Sequence, residues 1–201
     1  AFVKRTVEKV EGHPSIHVYK GAEVAEVGGH AGSFDVKLTG QDGARTSLEV
    51  GSIVVATGAE RLRTGEYLYG RNENVITQDE LEDKLGRGDL GHVKSVAMIQ
   101  CVGSRDENRP YCSRICCSEA LINALRIKEK APDVDVVVFY RDLMSYGVIE
   151  KYYTEAREKG VLFVRYDLDS KPEVTDEGGK LKLTAREPAL GGKITMEPDL
   201  L

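Results

Sequence analysis

The sequence predicts an α/β protein: a Rossmann-like unit with a parallel sheet, joined to an antiparallel β-meander. From residue 93 onward, continuous apolar runs alternate with helix-patterned stretches, the order that gives a parallel sheet with right-handed crossovers. The run VDVVVFY at 134–140 is apolar at nearly every position, as a strand buried on both faces is. Before residue 51 the pattern is different. Short strand-like runs are separated by glycine-rich turns, which is hairpin chemistry.

Taken in order, residues 2–10 place Phe2, Val3, Val7 and Val10 near helical spacing. His13-Pro14 ends that helix, because the residue before proline is pushed out of the helical region. Strand-like runs follow at 16–19, 22–27, 33–38 and 46–50, with Gly28-Gly29, Gly32 and the hairpin-like Gln41-Asp42-Gly43 between them. Residues 52–56 (SIVVA) read as a further strand, apolar throughout and buried on both faces, ending at Thr57-Gly58. Residues 65–74 form a glycine- and tyrosine-containing loop. Residues 77–85 carry helix-start chemistry, with Thr77 able to cap and Glu80 three residues on. Then come a strand at 95–100, a helix at 116–130, a strand at 134–140, a helix at 147–159 stopped by Gly160, and a strand at 161–166. Residues 173–175 and 180–185 read as a closing hairpin across Glu177-Gly178-Gly179. The predicted divisions are 1–62, 63–92 (a linker with a short helix) and 93–201.

All four cysteines stand between positions 101 and 117, as Cys101, Cys112, Cys116 and Cys117. They occupy the turn between the 95–100 strand and the 116–130 helix, where ligands gather in α/β proteins. Four thiolates complete a zinc site or an iron–sulfur cluster. The spacing C-x10-C-x3-C-C is neither a zinc ribbon nor a ferredoxin run. The adjacent pair favours [4Fe–4S] over zinc, since neighbouring side chains diverge and a cubane offers each its own iron. Zinc remains the alternative, as do free thiols or a disulfide. A dinucleotide-binding unit would carry G-x-G-x-x-G in this turn. Here it has one glycine, Gly103, within a longer loop. Arg105, Arg109 and Arg114 flank the cysteines, either as charge partners of a thiolate-bound group or as solvated loop charges. The histidines His13, His17, His30 and His92 are scattered and fit loop or surface roles.

Net charge is −5 with no basic block, which argues against nucleic acid as a partner. No apolar run approaches the length of a membrane span, so no membrane insertion is expected. With no signal-peptide pattern, the expected compartment is cytoplasmic and reducing, which keeps thiolates available. The chain opens inside an amphipathic run and closes at an apolar one, as a segment of a longer polypeptide would.

IVVATGA (53–59), NVITQDELEDKL (74–85) and IQCVGSRDENRPYCSRICCSEALINAL (99–125), extended by YRDLMSYGVIEKYYTEAREKGVLFVRY (140–166), together resemble the A-type subunits of heterodisulfide reductase. Members of that family are iron–sulfur flavoproteins with a thioredoxin-reductase-like core, binding FAD and several [4Fe–4S] clusters. The resemblance implies that Cys101, Cys112, Cys116 and Cys117 hold a [4Fe–4S] cluster and that Thr57 and Gly58 pass close to FAD. The FAD-binding glycine motif is absent. The meander therefore corresponds to an incomplete FAD-binding domain, with FAD bound only by the full-length parent. The implied function is an electron-transfer segment of a flavo-iron–sulfur oxidoreductase, inactive alone. Its implied partners are the other subunits of a heterodisulfide-reductase-like or quinone-interacting redox complex. The alternative is a structural zinc-binding or subunit-docking module without redox activity.

Overall fold

The first sixty residues hold little buried apolar surface, and their structure follows from that. In a computed structural model describing residues 2–189 and 191–201, the chain divides into two units, Ala1–Glu60 and Arg61–Leu201. In the first, helix α1 (Phe2–Glu11) buries none of its residues. Strands β1 (Ala22–His30), β2 (Ser33–Gly40) and β3 (Arg45–Val50) form an antiparallel meander in that order. Val24 faces Leu38, and Val36 faces Leu48. Val36 is the one buried side chain among the described residues of this unit.

Two expected strands are not strands. Residues 16–19 are irregular, and residues 52–56 neither pair nor bury, with Val54 87% and Val55 79% exposed. A strand apolar on both faces gains stability only where other strands and faces cover it, and no described residue does so here. Gly28 and Gly29, expected to break the strand, instead lie inside β1.

In the second unit, helix α2 (Gln78–Arg87) starts with the expected capping box. Thr77 accepts from the Glu80 amide at 3.3 Å and donates its own amide to the Glu80 carboxylate at 2.7 Å. Gly88 closes the helix in the left-handed conformation. Strands β4 (Ser95–Ile99), β5 (Asp135–Tyr140) and β6 (Leu162–Arg165) make a parallel sheet in the order β4-β5-β6. Helices α3 (Cys116–Lys130) and α4 (Glu150–Glu158) are its crossovers.

Both faces of this sheet are covered, which explains the continuous apolar runs. On one face Val96, Met98, Val136 and Val138 pack with Leu81 and Leu85 of α2 and Ala120, Leu121 and Ala124 of α3. On the other, Ala97, Val137, Phe139 and Val164 pack with Leu183 and Ala185. Those two residues belong to a second antiparallel sheet, β7 (Glu173–Glu177), β8 (Lys180–Arg186) and β9 (Lys193–Met196). The expected closing hairpin thus gains a third strand and serves as a cover. The closing segment runs parallel beside β4, where the Ala97 amide donates to the Leu200 carbonyl at 2.9 Å. Asp199 fixes that alignment by accepting from the amides of Lys94 (2.7 Å) and Ser95 (3.0 Å). No helix among the described residues is long and apolar enough to cross a membrane.

Candidate metal centre

The site grows from the carboxyl end of β4. Gln100 still belongs to the ladder, its amide donating to the Phe139 carbonyl at 2.9 Å, and its own carbonyl accepts from the buried Tyr166 hydroxyl. The chain then turns sharply. Cys101, Arg105 and Arg114 are non-glycine residues at positive φ (62°, 58° and 61°), beside Gly103 at 65°. Each such non-glycine residue costs roughly 1–3 kcal/mol and persists only where surrounding contacts hold it. The loop returns into α3, whose first two residues are Cys116 and Cys117. Ile115, at the N-cap, provides no side-chain cap, so the first-turn amides are left to other acceptors.

All four cysteines are free thiols, with Cys101 and Cys117 buried and Cys112 and Cys116 half-buried. Cys116 is held well below the usual thiol range, first by a hydrogen bond from the Cys117 thiol, then by the Cys101 amide and the Ser113 hydroxyl. Cys117 is driven upward as that donor, with burial adding to the effect. Burial raises Cys101, as does the charge of Cys116, while Arg105 opposes the rise. Cys112 accepts from the Arg114 amide at 3.3 Å. The charges of Cys116 and Cys112 are both felt at Cys101, and the Cys117 thiol donates to the Asp142 carbonyl at 3.9 Å. Among the described residues, no group of three or more His, Cys, Asp or Glu is arranged to hold a metal ion.

Three charged contacts brace the loop. The Arg105 guanidinium spans Cys101 Sγ (3.9 Å) and Asp142 Oδ2 (2.6 Å). Arg141 donates to the Arg105 carbonyl. Arg61 forms a two-pronged pair with Glu119 in the first turn of α3, at 2.9 and 2.6 Å. Arg109 and Arg114 are exposed, as solvated charges are.

Two residues of the site do not stand out in the sequence. Arg61 is one, because it lies 58 positions from Glu119. The other is Gln100, 2% exposed, whose side-chain nitrogen has no hydrogen-bond partner in the structure. A polar residue closing an otherwise apolar strand is the available signal. Thr57 and Gly58 are exposed and irregular, Gly58 having φ 70°, and they belong to the Ala1–Glu60 unit rather than to the unit that carries the cysteines.

No family model matches the chain. The A-type subunit of the H2:CoB-CoM heterodisulfide,ferredoxin reductase of Methanothermobacter marburgensis is 40% identical over 177 residues, covering 77% of this chain and 26% of the relative. The iron-sulfur A-type subunit of the CoB–CoM heterodisulfide reductase of Methanocaldococcus jannaschii is 37% identical over 175 residues, with the same coverage of 77% and 26%. Among solved structures, bacillithiol disulfide reductase from Bacillus cereus is 17% identical, covering 99% of this chain and 52% of that one at a TM-score of 0.40. The FAD-bound cadaverine monooxygenase from Erwinia amylovora is 9% identical, with coverage of 90% and 51% and a TM-score of 0.47. The chain spans about a quarter of the length of these heterodisulfide reductase relatives. With that similarity running over 77% of its residues, the chain belongs to the family of heterodisulfide reductase A-type subunits.

Proposed function

We propose that this chain is an electron-transfer segment of a flavo-iron–sulfur oxidoreductase, and that Cys101, Cys112, Cys116 and Cys117 hold a [4Fe–4S] cluster. The observation that carries this reading is the loop itself: four unbridged thiols between one strand and one helix, on a backbone held in three strained turns. The donor set fits such a group. It supplies four sulfurs in one strand-to-helix loop and first-turn amides of α3 without a side-chain cap. When bound, a cluster of this kind supplies one-electron transfer.

The chain's own residues do the rest. Cys101 and Cys117 are sheltered from water, and Arg105 places positive charge at the Cys101 sulfur. The ion pair between Arg105 and Asp142 also engages the first acidic side chain past β5, two residues beyond its end and close to where a nucleotide-binding unit would use an acid to hold ribose. In the whole protein, we assign Thr57 and Gly58 to the FAD side and the partners to the other subunits of a heterodisulfide-reductase-like redox complex. A reducing, cytoplasmic compartment suits the free thiols.

Replacing each cysteine in turn by serine tests the ligand set. Each variant, prepared without oxygen, is expected to lose most of the iron bound by the unsubstituted chain and to keep its far-ultraviolet circular dichroism. Iron unchanged in any one variant removes that cysteine from the set.

A further inference from the structure

The geometry points to Arg105 as the residue that sets the reduction potential of the group at Cys101, a positioning charge rather than a ligand; this rests on the reading of the cysteines given above. Two contacts hold its guanidinium in place, and a third holds its backbone. Nη1 faces Cys101 Sγ at 3.9 Å, and Nη2 is fixed by Asp142 Oδ2 at 2.6 Å. Behind it, the Arg105 carbonyl accepts from the Arg141 side chain.

The backbone of Arg105 sits at φ 58° and its carbonyl is tied to the Arg141 side chain, so the residue is anchored at both its main chain and its guanidinium. Its side chain is only 19% exposed. A charge removed from water is screened less than one on the surface, so its field reaches the sulfur with less loss. Neither of the other two arginines shares this arrangement. Arg109 is exposed, and Arg114 meets Cys112 through its backbone amide, not its charge.

The sign follows from charge. Reduction adds negative charge to the thiolate-bound group, and a fixed cation beside it favours that state. Removing the cation makes reduction harder and moves the potential downward. Lysine keeps the charge but loses the planar fork that lets one side chain meet sulfur and carboxylate together. It therefore restores the effect in part.

The test uses the full 201-residue chain purified without oxygen, as wild type, Arg105→Gln and Arg105→Lys. Each is assayed for iron and acid-labile sulfide and titrated redox-potentiometrically under electron paramagnetic resonance. Arg105→Gln is expected to retain iron and to shift the one-electron equilibrium about tenfold toward the oxidised form, about 59 mV. Arg105→Lys is expected to recover part of that shift. An unchanged potential in Arg105→Gln overturns the inference while leaving the cysteine assignment intact. So does loss of iron in that variant, which would make Arg105 a structural brace. Wild-type chain without iron overturns the cysteine assignment, and this inference with it.

Discussion

Replacing Phe139 by alanine is expected to destabilise the Arg61–Leu201 unit by about 3–5 kcal/mol, the range for emptying a buried aromatic site. Phe139 is fully buried near the end of β5. It packs with Ala97, Val164, Tyr166 and Leu183 between the parallel sheet and its antiparallel cover. Small neighbours such as Ala97 and Ala185 cannot extend into the space it would leave, so a cavity is the expected result. Since a domain of ordinary stability has about 5–15 kcal/mol in all, the loss is a large fraction of the total. The same residue supports the cysteine loop, because its carbonyl accepts the Gln100 amide at 2.9 Å. Urea unfolding followed by circular dichroism measures the effect. A change below about 1 kcal/mol, the ordinary cost of a mild substitution, would show that the core closes elsewhere.

Gly29→Ala is expected to dissolve the β1–β2 hairpin while the parallel sheet stays intact. Gly29 has φ +83°, and a Cβ placed there would stand 2.2 Å from the Ser33 carbonyl oxygen. That oxygen is backbone of the facing strand, where His30 pairs Ser33 and Gly29 pairs Phe34. Relief therefore requires the strands to part. The left-handed conformation alone costs a non-glycine residue roughly 1–2 kcal/mol, and a unit with one buried side chain has little to set against it. Gly28→Ala is the control, since a Cβ there meets nothing within 4 Å. Amide hydrogen exchange should lose protection across β1 and β2 in the first variant and keep it in the second. Equal protection in both would contradict the account of this turn.

Much of the second unit is legible in the sequence because its signals are local and agree with one another. The apolar run 134–140, the Thr77–Glu80 capping pattern and the helix beginning at Cys116 each specify one structure without help from distant residues. The segments that mislead are those whose fate depends on remote partners. SIVVA at 52–56 has the composition of a buried strand, yet nothing among the described residues pairs with it. β9 is only four residues long, Lys193–Met196, and is defined by its pairing with β8 rather than by its own pattern. The cysteine loop is identifiable from spacing. The roles of its arginines are not, because the contacts that single out Arg105, at Asp142 and Arg141, come from 37 and 36 residues further along.

The most direct measurement of the central claim is the iron, acid-labile sulfide and zinc content of the 201-residue chain, prepared and kept without oxygen. A [4Fe–4S] cluster on Cys101, Cys112, Cys116 and Cys117 predicts about four irons and four sulfides per chain, from the composition of such a cluster. It also predicts a brown protein that develops a paramagnetic signal on one-electron reduction. One zinc per chain, with neither iron nor sulfide and no colour, would contradict that assignment and make the loop a structural metal site.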